Sequence, residues 1–237
     1  MERGSVVVNV FYSLSRGVWF ALGVVAVITL LVLFEKWLAR KVQKKGDLYP
    51  ALLSFLVIFS KTVIPLVLLW KVYGLDPGSL GWVKGDFLQA VLKGVVLAAF
   101  MIAFIFIYQK YSYLLFHKPY TSTGGRFLAE GVSGTAIGIA VSAALMNAFG
   151  EEIIFRGMLL PALSGCLGIV LAVVVQSLIF TVYHFFPLQN SVLLFMMGIF
   201  FALGYLWSGS LLTPVLAHLI GNGLPALLFL IRLLRTR

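Results

Sequence analysis

Seven long apolar runs, separated by short polar or basic stretches, dominate the chain. They are Val18–Leu38, Tyr49–Tyr73, Phe87–Gln109, Gly134–Leu163, Leu167–Phe186, Ser191–Trp207 and Pro214–Leu234. Each is near or above the length of about 20 residues at which an apolar helix spans a bilayer. The short alternating strands of a transmembrane barrel are not evident. A further apolar segment, Val6–Leu14, is short and reads as an interfacial helix or part of an eighth crossing element. No long linker, composition shift or internal repeat divides the sequence. The pattern predicts one integral-membrane domain over residues 1–237: an all-α, polytopic bundle of about seven to eight transmembrane helices.

Composition narrows the class further. Of 237 residues, 61% are hydrophobic and 11% charged, and the mean hydropathy is +1.05. Soluble domains carry about 25% charged residues, so a soluble or disordered chain is excluded. One cysteine, Cys166, rules out a disulfide framework and a zinc site built from several thiolates. It reads as an inert side chain near a turn. The start of the chain, Met1–Arg16, lacks the features of a cleaved signal. Its first long apolar run ends in Glu35-Lys36-Trp37, without a small-residue cleavage site, and is expected to stay as a span.

The net charge of +10 is best read as membrane topology. Basic loops beside anionic headgroups explain it more simply than nucleic acid does, because no basic stretch is interleaved with stacking aromatics. With seven spans and the N-terminus outside, eleven basic residues fall inside. They are Lys36, Arg40, Lys41, Lys44, Lys45, Lys110, Lys118, Arg126, Arg232, Arg235 and Arg237. Only Arg3, Arg16, Lys71 and Lys84 fall outside. The bias predicts a multi-pass protein of the cell membrane with a cytoplasmic C-terminus. The Tyr108–Ala129 stretch reads as an amphipathic connection at the inner surface, anchored by Tyr111, Tyr113, Lys110 and Lys118.

Ionisable side chains inside a span cost about 2.5–3.5 kcal/mol on insertion scales, so their positions carry information. Lys61 and Lys93 are isolated, and no chemistry is assigned to them. The fourth run differs. It contains Asn147, Glu151, Glu152 and Arg156 within ten residues. Glu152 and Arg156 stand at i and i+4, where a helix makes them an ion pair. Glu151 is turned about 100° away and stacks over Asn147. Pro161 is expected to kink or end this helix near Gly157.

The fifth run places Gln176, Phe180 and His184 on one face. The seventh opens with Thr213-Pro214, a capping residue and a first-turn proline, and places His218 and Asn222 on one face. Taken singly, such His and Asn residues are ordinary packing or hydrogen-bonding groups. Depth brings them together. With hairpin turns near Ser164–Gly165 and Ser208–Ser210, Glu151 lies about 20 Å and His184 about 27 Å along their helices, with His218 and Asn222 at about 12–18 Å. These positions define a polar cavity within the membrane. His117, in the connection, is left out of it.

A carboxylate and a histidine near one water molecule serve as general base and partner. A histidine and an asparagine on one face can donate to a developing oxyanion. The set suits direct attack of water on an amide or ester carbonyl, with no evident Ser or Cys nucleophile. A zinc site from Glu and His ligands is chemically open, but HExxH spacing is absent and Arg156 opposes a dication.

Three motifs now stand in order: Glu151-Glu152-x-x-x-Arg156, Phe180-x-x-x-His184 and His218-x-x-x-Asn222. Together they resemble the signatures of the CAAX-protease and bacteriocin-processing family, glutamic intramembrane endopeptidases related to the type II CAAX prenyl endopeptidase. The resemblance covers residues 134–225, the motif-bearing core, and leaves the first three runs undiagnosed. It implies that Glu151 and His184 activate water, and that His218 and Asn222 stabilise the oxyanion. It further implies that Glu152 and Arg156 form a supporting ion pair and that Phe180 is the packing residue of the second motif. It implies a metal-free site without a cofactor, acting on a membrane-associated peptide or protein that is prenylated or carries a sorting signal. Neither the substrate nor the oligomeric state is legible. Three other readings stay open: a non-catalytic immunity or scaffold protein, a zinc-dependent membrane protease, and a proton-relay transporter.

Overall fold

The computed structural model describes residues 86–117, 145–184 and 186–235 continuously, with backbone alone from 225, together with Ser142 and separate positions between 18 and 81. Val6–Leu14, Lys61, residues 118–141 and most of the runs Val18–Leu38 and Tyr49–Tyr73 lie outside the described residues. The described residues are helical and contain no strand. Helix α1 is Phe87–Phe116. Helical residues 145–152 lead into a π-helical segment, Ile153–Leu159, which continues into α2, Leu160–Leu167. Helices α3, α4 and α5 are Ile169–His184, Leu188–Ser208 and Leu212–Arg235.

Two of these, α1 and α4, are long and apolar enough to cross a membrane; α3 and the Leu212–Leu224 part of α5 are shorter apolar helices. Their outward faces are apolar: Phe106 and Leu114 on α1, and Val170 and Val182 on α3, are each more than 60% exposed. A contiguous apolar exterior is what lipid accepts and water does not. Glu151, Glu152, Arg156 and Gln176 are buried instead, as in a membrane protein.

Several elements differ in extent from the hydropathy pattern. Helix α1 runs past Gln109 to Phe116, so the first part of the expected connection is helix. No Gly or Pro interrupts Gln109–Phe116, and the helix ends only at His117, in the left-handed region at φ 51°. The turn between α2 and α3 falls at Gly168, and Gly165 is helical. Gly168 has φ 74° and ψ 161°, a conformation essentially reserved for glycine. The turn between α4 and α5 falls where expected, at Gly209. Thr213 does not cap α5. Ser210 Oγ accepts from the Leu212 N–H, and Thr213 Oγ1 donates to Ala90 O of α1 at 3.0 Å.

Pro161 neither ends nor breaks its helix. The Leu160 N–H bonds to Phe155 O, five residues back, in a widened turn just ahead of the proline. Proline lacks an N–H and crowds the carbonyl four residues earlier, and a π turn is one way a helix absorbs that without ending. Packing then sets the neighbours. Helix α1 lies along α5 and α4, α3 lies between α2 and α4, and the π segment rests on α2, α3 and α4.

Candidate active site

The turn at Gly168 sets the level of the first two motifs. Glu151 stands 17 residues before it and His184 16 residues after it. At 1.5 Å per residue both lie about 25 Å along their helices, closer in level than a turn at Ser164 would place them. His218 is only 9 residues beyond Gly209. Along the helix axes, the Gly209 turn is therefore about 10 Å nearer the site than the Gly168 turn.

The side chains meet at Glu151. Its Oε1 accepts from Asn147 Nδ2, one turn back, and faces His184 Nε2 at 3.5 Å. Its Oε2 faces His218 Nε2 at 3.8 Å. Glu151 is buried, and His184 and His218 keep a small exposed fraction. His184 Nδ1 lies 2.7 Å from Phe180 O. A carbonyl only accepts, so Nδ1 carries the hydrogen and Nε2 is the nitrogen presented to Glu151. The carbonyl four residues back thus orients the ring.

Glu152 and Arg156 form the ion pair expected from their spacing, Nη1 to Oε1 at 3.1 Å, with both side chains at 0% exposure. The same Oε1 lies 2.7 Å from His218 Nδ1. Glu152 is therefore not only a partner for Arg156. It ties the first motif to the third and turns His218 Nε2 toward Glu151. A carboxylate behind a histidine fixes the tautomer and orientation of the ring. The i,i+4 spacing discloses the ion pair, but nothing in the sequence pattern discloses the link to His218.

Arg156 is enclosed by aromatic faces. Its Cζ lies 4.8 Å from the Phe180 ring centre, 5.0 Å from Phe201 and 5.9 Å from Phe155. Rings over a desolvated guanidinium attract it. Phe180 meets Phe155 edge-on at 5.0 Å and His184 at 4.7 Å. Phe201 stacks on His218 at 4.5 Å. Asn222 lies one turn beyond His218 on α5 and is half-buried; Gly223, next to it, faces Leu145 at the start of the motif helix.

Gln176, Gly198, Phe155 and Phe201 complete the surroundings, and the sequence pattern marks only Gln176, by its four-residue spacing to Phe180. Gln176 does not reach the Glu151 cluster. Its Nε2 donates toward Gly198 O at 3.2 Å, the carbonyl that also accepts from Arg156 Nη2 at 2.9 Å. Lys93, given no chemistry from the sequence, rests over the Trp207 ring at 5.2 Å. Cys166 is exposed and lies in α2. Among the described residues, no group of three or more His, Cys, Asp or Glu side chains is arranged to hold a metal ion.

A buried carboxylate facing two imidazole nitrogens thus lies inside an apolar helical bundle, two of whose helices are long and apolar enough to cross a membrane. Residues 133–224 match the family model described as type II CAAX prenyl endopeptidase, Rce1-like. That stretch contains all three motifs, in agreement with the resemblance read from them. The family is a protease family, and the match supports peptide hydrolysis in general. Comparison with curated proteins and with solved structures finds no match.

Proposed function

We propose that the protein is an intramembrane glutamic endopeptidase, cleaving a peptide bond in a membrane-associated substrate of the CAAX type or with a sorting signal. The observation that carries this reading is the meeting of Glu151, His184 and His218 from three helical elements, at 3.5 and 3.8 Å, in a buried interior.

Water held by Glu151 Oε1 and His184 Nε2 gives its proton to this pair as its oxygen attacks the scissile carbonyl carbon. The two groups lie 3.5 Å apart, near enough for one water beside them to contact both. Negative charge develops on the carbonyl oxygen, which faces the Asn222 amide and His218 Nε2; with Nδ1 donating to Glu152, Nε2 donates when the imidazole carries both protons. Collapse of the tetrahedral species breaks the C–N bond, and the proton held by the pair passes to the leaving amine. Glu152 and Arg156 take no proton. They hold His218 by its Nδ1 and balance each other's charge. The described apolar surface supports a multi-pass location in the cell membrane, and the distribution of basic residues a cytoplasmic C-terminus.

Comparison of polypeptide termini in membranes from wild-type and Glu151→Ala cells tests the reading. New termini confined to wild type are expected. Identical termini, with wild-type protein present, would overturn it in favour of an immunity, scaffold or transport role. Chelators are expected to leave cleavage intact; loss with EDTA and recovery with zinc would move the water activation to a metal.

A further inference from the structure

The π segment leaves Arg156 with a partner outside the three motifs, the backbone carbonyl of Gly198 on α4. That carbonyl reaches it because α3 and α4 touch closely. A Cβ built on Gly198 would lie 3.0 Å from Ser177 Cβ and 3.1 Å from Ser177 Cα. The Cα is backbone and cannot turn aside. Gln176, fully buried beside Ser177, donates to the same carbonyl and to Ser177 Oγ at 2.7 Å. Two buried donors from two helices therefore converge on one acceptor that only a residue without a side chain can bring so near.

We infer that Gly198 and Gln176 are positioning residues: the Gly198 carbonyl, steadied by Gln176, fixes Arg156, and through Glu152 sets the place and tautomer of His218. The linkage is continuous. Gly198 O accepts from Arg156 Nη2, Arg156 Nη1 donates to Glu152 Oε1, and the same oxygen accepts from His218 Nδ1. Arg156 and Glu152 are both at 0% exposure, so no water replaces a lost contact cheaply. A methyl at Gly198 must part α3 from α4 by a few tenths of an ångström, drawing the carbonyl off the guanidinium. Arg156 then follows it or leaves it, and either movement shifts the carboxylate that orients His218. The effect on cleavage rests on the proposed endopeptidase reading; the effect on His218 does not.

The test uses the full chain in detergent, with imidazole 15N signals assigned by the loss of one set in His218→Gln. Glu151-dependent termini in membranes provide the second readout. Gly198→Ala is expected to shift the His218 nitrogens and to lower the cleaved fraction at least about tenfold, while the protein still accumulates. Adding Ser177→Gly, which removes the contact at Ser177 Cβ and leaves the one at its Cα, is expected to restore part of the His218 signals and part of the cleavage. Gln176→Leu, which adds no bulk at the helix contact, is expected to move the same signals with a loss of about threefold, and it decides the matter if Gly198→Ala does not fold. Unmoved His218 signals in a folded variant, or a loss that Ser177→Gly does not lessen, would overturn the inference. If wild type yields no Glu151-dependent termini, the protease reading fails, while the 15N signals still decide the positioning.

Discussion

Around the π segment, Ile153, Phe155, Leu159, Phe180 and Leu211 form an apolar shell that encloses Glu152, Arg156 and Gln176 with no exposed surface. Along the seam of α1 with α4 and α5, Leu97, Ala98, Met101, Tyr108, Leu193, Met197, Phe201 and Ala217 form an apolar cluster, joined by the buried hydroxyls of Ser112 and Thr213. Lipid tails are as apolar as these side chains, so the seam gains van der Waals packing and little transfer energy. The polar shell is under a stricter demand. Each charge there costs several kcal/mol unless paired, which leaves few acceptable arrangements. The seam supports the bundle; the polar shell specifies it. Phe201 belongs to both, packing in the seam while one face stacks on His218 and lies by Arg156.

The sharpest way to separate the two regions is to remove the base. Glu151→Ala and His184→Ala are each expected to lower cleavage by about 10²–10⁴-fold, the range for a positioned acid or base. Both proteins should accumulate normally, as counted by termini and by immunoblot. Cleavage at wild-type level in either would sink the division of labour. Arg156→Leu comes next. It strands Glu152 and is expected to cost about 3–5 kcal/mol of stability, read as lost folded yield and a lower thermal midpoint in detergent. An unchanged midpoint would mean that the pair is solvated.

The seam should answer differently. Met101→Ala is expected to cost about 2 kcal/mol, at the low end for a buried Met→Ala change because lipid weakens the transfer contribution. Cleavage per folded molecule should not change; a loss as large as that of Glu151→Ala would erase the distinction. Smallest is Gly168→Ala, outside both clusters. Its nearly glycine-only backbone conformation makes the substitution cost about 1 kcal/mol, the low end for such strain because no neighbour lies within 4 Å to add a clash. A midpoint shift larger than that of Met101→Ala would show that this turn sets the level of Glu151 against His184 more tightly than packing does.

Much of the site is local and was therefore legible. Asn147 with Glu151, and Glu152 with Arg156, are pairs one turn apart, and the helical period alone brings them together. Phe180 with His184 and His218 with Asn222 share faces for the same reason. Hydropathy located the described helices because lipid demands long apolar stretches, but it misjudged ends that depend on backbone chemistry. The α2–α3 turn needed the φ of Gly168, and α1 continued because nothing stopped it before His117.

What the sequence determined by itself, then, is the helical membrane class and the pairs within each helix, since both follow from composition and from a period of 3.6. Tertiary structure alone decided that Glu152 also binds His218, that Phe201 stacks between motifs, and that Arg156 rests on Gly198. Those contacts join different helices, so they depend on crossing and level. The acceptor on Gly198 is a backbone carbonyl, a group every residue carries, and only the close approach of α3 to α4 singles it out.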